Sequence, residues 1–362
     1  SKMTVIELYG KEVDLDCVNA TPADLEAIDD LLPGLIQHGW IKSADGQRWT
    51  HYRKYIPPKV KAVLVYQHGI QGHSGVAHKL ASGRVTNFAL LSKECIERGI
   101  AIYTPDMAGH GLSEGKRFFI PNADWRTNLD DFDVFARYAA SEHNSVPLFL
   151  GGESYGANLA INLAGKWQKQ QQDDEKDKEE SSPPAQFSGF VVNAPAIIGD
   201  LPPWPVTFAL RRIVAPMFPT WVPFFMPHPV NPDAIWRDEE VRTLQTSEHY
   251  KEMNLGGCGK PFRLGTAAAM VSALEYAREV TIPSLKVPFC VCHGTEDKSV
   301  SIAGTEYLLK HSQTEDSERS FRKDEGSYHD LLGEPTAEHT VGFALDWIVE
   351  RTGKGKWRLQ DV

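Results

Sequence analysis

The chain has 362 residues, 41% of them hydrophobic and 24% charged, with 38 Lys and Arg set against 48 Asp and Glu for a formal net charge of −10. Such a composition excludes global disorder and a membrane bundle, and leaves room for one large α/β domain with an insertion or for two modest domains. The short stretch Lys354 to Arg358 is the one basic run, too small for the clustered cationic face that nucleic acid requires, so that partner is excluded.

Ser1-Lys2-Met3 lacks the apolar core of a signal peptide. The five cysteines, Cys17, Cys95, Cys258, Cys290 and Cys292, are too few and scattered for a disulfide framework or a zinc site. A reducing, cytoplasmic location is the expectation. Thr21-Pro22-Ala23-Asp24 combines an N-cap residue, Pro at the first helical position and an acid in the first turn, predicting a short helix within an N-terminal extension over 1–56.

Beyond it, short apolar runs alternate with helical patterns: Val60 to Val65, Gly99 to Tyr103, Pro147 to Leu150, Gly189 to Val192 and Val287 to Cys292. Fully apolar strands separated by helices predict a mostly parallel sheet covered on both faces. The core is expected in two parts, 57–194 and 265–362. A polar, charged stretch at 168–184 (QKQQQDDEKDKEESSPP) predicts a flexible surface loop. Residues 195–264, rich in Pro, Trp and Phe, predict a cap inserted into the core. The repeated prolines and Arg211-Arg212 exclude a transmembrane helix there.

The run Pro147 to Leu150 leads directly into Gly151-Gly152-Glu153-Ser154-Tyr155-Gly156-Ala157, after which a helical pattern starts. A nucleophilic serine must sit at the tip of a strained strand-to-helix turn, and the glycines two residues either side keep the flanking strand and helix from colliding. Ser154 is the candidate nucleophile. In the α/β-hydrolase order, an acid and then a histidine follow the serine along the chain. Past the strand Val287 to Cys292, His293-Gly294-Thr295-Glu296-Asp297-Lys298 presents Asp297 as the orienting acid, with Glu296 as the alternative. Of the three later histidines, His311 and His339 fall in helical stretches, whereas His329 lies in a loop just past the β-like run Arg319 to Arg322, and is the candidate base. Asp330 beside it reads as a solvated loop acid.

The early strand ends in Gln67-His68-Gly69-Ile70-Gln71-Gly72-His73. An oxyanion hole built from the backbone N–H groups of Ile70 and Tyr155 is expected, His68 and Gly69 belonging to the substrate pocket. A metal reading of His68 and His73 finds no carboxylate at ligand spacing.

With Asp106-Met107-Ala108-Gly109-His110-Gly111-Leu112-Ser113-Glu114-Gly115, these motifs resemble the monoacylglycerol lipase family of serine hydrolases from about Ala44 to Arg351. Gly259 to Gly265 is similar to its plant-like branch, although that branch has Met and Gly where this chain has Tyr155 and Ala157. The resemblance implies an α/β-hydrolase fold, a non-reacting role for Asp106 to Gly115, no cofactor or metal, and a cap forming an apolar acyl channel from residues such as Trp204, Phe208 and Trp221. Those aromatics either line the pocket or rest on a membrane interface. Hydrolysis of a lipid-like ester, monoacylglycerol first, is the expected activity. A lysophospholipase, with Arg211, Arg212 and Arg237 meeting phosphate, a small aromatic carboxylesterase and a non-catalytic binding protein are the alternatives. The sequence leaves the oligomeric state open.

Overall fold

The computed structural model describes residues 5–173, 182–199, 203–353 and 357. Eight strands form one sheet: β1 (Ile36–Lys42), β2 (Trp49–Tyr55), β3 (Ala62–Gln67), β4 (Ile100–Pro105), β5 (Leu148–Glu153), β6 (Phe187–Asn193), β7 (Phe289–Gly294) and β8 (Arg319–Asp324). Their spatial order is β8-β7-β6-β5-β3-β4-β2-β1. The six strands from β3 to β8 are mutually parallel, and β1 and β2 join antiparallel at one edge.

Each of the five apolar runs read from the sequence falls in one of these parallel strands, and the β-like run Arg319 to Arg322 falls in the sixth. In β3, Val63 and Val65 enter one core while Ala62, Leu64 and Tyr66 enter another; in β7, Phe289 and Val291 face the first, Cys290 and Cys292 the second. Side chains alternate across a strand, so both halves of each run are apolar because both faces are covered. Helices α3 (Trp125–Glu142), α4 (Ser154–Asp173) and α5 (Leu264–Tyr276) supply the first face; α2 (Asn87–Arg98) and α7 (Ala337–Arg351) supply the second.

Residues 36–55, expected in the N-terminal extension, instead carry the edge strand β1 and its neighbour β2, which also pairs with β4. Their pattern hides them, because β2 buries charge rather than an apolar run. His51 and Arg53 are buried, His51 Nδ1 lies 2.8 Å from Asp106 Oδ2, and Arg53 donates to Ser74 Oγ at 2.9 Å. Helix α1 (Pro22–Asp29) carries the expected Thr21 cap, completed as a capping box by Asp24.

The expected loop at 168–184 begins later than its composition suggests, since α4 continues to Asp173. Gln168 explains the extension: its buried amide donates to Ser284 O at 2.6 Å and accepts from Lys286 N–H at 2.7 Å. Residues 174–181 of that stretch lie outside the described residues. Across the inserted region the helices are short, among them Pro232–Ile235, Glu239–Thr246 and Glu248–Met253. Its outer surface exposes Phe218, Trp221, Phe224 and Phe225, whereas Ala215 and Met226 are buried against Leu264. Among the described residues, no helix is long and apolar enough to cross a membrane.

Candidate active site

The parallel strands direct the informative loops to their carboxyl ends, as open α/β sheets do. At the end of β5, Ser154 has φ 54°, a left-handed conformation strained for any residue with a Cβ. Such a tip survives only if its surroundings hold it. A Cβ on Gly156 would come within 2.2 Å of Gln67 O, and one on Gly152 within 2.5 Å of Gly156 C, so both glycines are needed for β3, β5 and α4 to meet.

Asp297 and His329 are brought together from the ends of β7 and β8. His329 Nδ1 lies 2.7 Å from Asp297 Oδ2, and the Asp297 carboxylate is 1% exposed. A Cβ on Gly294 would meet Ser327 O at 2.2 Å, so the acid and histidine loops approach backbone to backbone. Burial opposes charge on Asp297, but His329, a hydrogen bond from His293 and the Val300 N–H outweigh it and hold the carboxyl well below its ordinary range. For His329, burial is outweighed by Asp297, then Glu153 and Asp330, and the imidazole is raised above its ordinary 6.5. With Nδ1–H given to Asp297, Nε2 is left for the serine. Glu296, the alternative acid, is exposed, and its N–H donates to Ser327 O at 3.0 Å. His311 and His339 lie exposed on helices.

Ser154 and His329 line the same cavity, of about 420 Å³, together with Gly69, Ile70, Glu153 and Asp330. Tyr155 is the second residue of α4, where the N–H has no intrahelical carbonyl. The Gly69 N–H faces Glu153 Oε1 at 3.4 Å, leaving Ile70 as the next donor along that loop.

Several expected pocket residues lie elsewhere. His68 is fully buried behind the cavity wall, its ring held between Gly69 O at 2.7 Å and the Met107 N–H at 2.9 Å. Phe208 and Trp221 are on the outer surface, 47% and 49% exposed. The Trp204 side chain lies outside the described residues. The cap instead offers the cavity Ile235, Trp236, Tyr250, Cys258 and Phe262. His73 is structural too: it accepts from Gly75 N–H at 3.2 Å and lies 3.0 Å from Tyr250 Oη. Among the described residues, no group of three or more His, Cys, Asp or Glu is placed to hold a metal.

Asp330, read as a solvated loop acid, is bound on every side. It accepts from Asn87 Nδ2 at 2.9 Å, Trp236 Nε1 at 2.8 Å and Gly333 N–H at 3.0 Å. The sequence reading also passed over Glu153, although its place inside the serine motif was a signal. Asn87 and Trp236 carried none, because long-range folding alone brings them to the site. Arg211 and Arg237, read as candidates for phosphate, are paired with Glu275 at 2.7 Å and Glu334 at 2.8 Å.

Comparison with known proteins agrees with this geometry. Among curated relatives, the chain is 25% identical over 289 residues to a monoacylglycerol lipase of Mycolicibacterium smegmatis, covering 80% of this chain and 88% of that one. It is 23% identical over 291 residues to the caffeoylshikimate esterase of Arabidopsis thaliana, covering 79% and 80%. The crystal structure of Paleococcus ferrophilus monoacylglycerol lipase matches with a TM-score of 0.63 at 18% identity, over 83% of this chain and 99% of that one, and so shares the fold. The Hydrolase_4 family profile, described as serine aminopeptidase, S33, matches residues 58–336. With a sheet, a strand-to-helix serine turn and a family match spanning most of its length, the chain has the α/β-hydrolase fold and belongs to the Hydrolase_4 (serine aminopeptidase, S33) family.

Proposed function

We propose that this protein is a serine hydrolase of carboxylic esters and that its substrate is a monoacylglycerol, cleaved to fatty acid and glycerol through an acyl-enzyme on Ser154. The observation that carries the reading is a single cavity lined by both Ser154 and His329, the histidine already oriented by Asp297. Names of relatives that act on monoacylglycerols support the same substrate.

In the first half-reaction, Ser154 Oγ attacks the ester carbonyl while His329 Nε2 takes its proton, and Asp297 stabilises the resulting imidazolium. The N–H groups of Ile70 and Tyr155 receive the oxyanion, where one lost donor costs about 3 kcal/mol of barrier. His329 then protonates the departing alcohol. Water, deprotonated by the same imidazole, releases the fatty acid. The apolar cap residues along the cavity suit the acyl chain. The outward Trp221, Phe224 and Phe225 suit contact with a lipid surface from which such a substrate is drawn.

Turnover of a monoacylglycerol series by the purified protein tests the reading, beside Ser154→Ala and covalent labelling by a fluorophosphonate. Labelling of wild type but not of Ser154→Ala is expected, together with turnover of at least one glycerol monoester. Absence of both in wild type would sink it.

A further inference from the structure

The carboxyl of Glu153 is not used by the ester chemistry above. It stands one residue before the nucleophile on the cavity wall, and its hydrogen-bond contact is the long 3.4 Å approach of the Gly69 N–H. Gly69 makes the position available: a Cβ there would meet Ser154 Cβ at 3.2 Å and Glu153 Cγ at 3.7 Å. Nucleophile and carboxyl therefore share the space a side chain at 69 would fill. A carboxylate has about four acceptor sites, and a single weak contact leaves most of them turned to the cavity. Asp330, the other acid on this wall, has spent its capacity on Asn87, Trp236 and the Gly333 N–H.

Glu153 shares the cavity wall with His329, the group that protonates the departing alcohol. Burial, then Asp330, push its carboxyl up to about 7, and His329 acts on it in the opposite sense. It is therefore within electrostatic reach of the imidazole that protonates the departing alcohol. Besides His329, the basic groups on the wall are His228 and Lys298. Lys298 donates to the Tyr328 hydroxyl and lies 4.0 Å from that ring's centroid. Arg211 and Arg237 are engaged by Glu275 and Glu334. The acids on the cavity wall thus offer acceptors, and among the described residues no arginine lines it.

We propose that Glu153 binds the alcohol half of the ester, accepting hydrogen bonds from the free hydroxyls of a neutral polyol and, with Asp330, disfavouring a phosphorylated head group. This specificity role rests on the ester-hydrolase reading above. Above about pH 7, where Glu153 is ionised, a hydroxyl donated to it binds about twice as strongly as one donated to a neutral amide. Once Glu153 is ionised, it and Asp330 on one wall repel a phosphate, which discriminates by penalty as well as by attraction.

The test assays wild type and Glu153→Gln on four esters of one acyl chain: the glycerol monoester, its di-O-methyl analogue, the ethyl ester and the glycerophosphate monoester. Fluorophosphonate labelling of Ser154 reports whether the site is intact. In Glu153→Gln, the ratio of kcat/KM for the glycerol ester to that for the ethyl ester is expected to fall about tenfold, through KM, and the disadvantage of the phosphate ester to narrow. The acid limb on the ethyl ester should also move to lower pH, because Glu153 helps raise His329. A ratio within about twofold of wild type, or an equal loss on all four esters with labelling intact, overturns the proposal. If the variant does not fold, wild type decides alone: the di-O-methyl ester must be turned over about tenfold less efficiently than the glycerol ester, and equal turnover overturns the proposal. Labelled wild type that cleaves the ethyl ester and no glycerol ester overturns the head-group role while leaving the hydrolase standing. Wild type that neither labels nor turns over any ester removes the underlying reading itself.

Discussion

The indole N–H of Trp236 donates to Asp330 Oδ2 at 2.8 Å, and the Asp330 N–H returns a bond to Ile235 O at 3.1 Å. Next in sequence, Arg237 pairs with Glu334, whose other oxygen accepts the Tyr328 N–H at 2.7 Å. Three consecutive cap residues thus grip the loop that carries His329. Asp330→Asn keeps the shape but replaces an acceptor with an NH₂ donor facing Trp236 or Asn87. It should lose about 1–3 kcal/mol of stability in denaturant titration. Fluorophosphonate labelling of Ser154 should slow with it, because the base is less well held. Unchanged stability and labelling would mean that the grip is incidental.

Asp297→Asn should leave the fold intact and lower kcat by about 10⁴-fold, since an amide at that position favours the wrong imidazole tautomer. Glu296→Gln, at an exposed neighbour, should change kcat by less than about twofold. The paired assay separates the two acids that the sequence left open.

The pH profile follows from the direction of the His329 shift. The working base is the neutral imidazole, and its neighbouring acids raise its pKa above 6.5. Activity should therefore be full at alkaline pH and fall as pH drops through a midpoint above 6.5, read from kcat/KM. Asp297, held low, stays ionised throughout that window. A midpoint below 6.5 would contradict this arrangement of charges.

Asp106 is a structural prediction. Fully buried, it accepts from the Ser74 N–H at 2.7 Å and the Leu112 N–H at 3.0 Å, and faces His51 Nδ1 at 2.8 Å. It ties the loop after β3 to the turn after β4 and to strand β2. Burial opposes its charge, but His51 and Arg53 prevail and hold the carboxyl well below its ordinary range. A depressed carboxyl gives stability that is present above its unfolded pKa and lost as pH falls towards its folded one. Asp106→Asn should cost about 3–5 kcal/mol in chemical denaturation, as breaking a buried pair does. The difference from wild type should shrink under acid.

The parallel strands were legible because burial on both faces leaves a continuous apolar run, as in Ala62 to Tyr66. The serine turn was legible because sterics confine glycine to positions 152 and 156 once Ser154 takes a positive φ. Strands β1 and β2 were not, since a strand whose buried residues include His51 and Arg53 looks polar until Asp106 and Ser74 are brought against it. The cap misled in a similar way: Phe208 and Trp221 have the composition of a pocket lining, but composition does not say which side of a short helix faces in.

The sequence by itself determined the parallel strands, the nucleophile turn and the order of acid and histidine, because each is written in local spacing and hydrophobic period. Only the tertiary structure decided that Glu153 opens onto the cavity, that Asp330 is clasped by Trp236 and Asn87, and that His68 is sealed behind the wall. Those roles depend on contacts between residues up to hundreds of positions apart, which local periodicity does not encode.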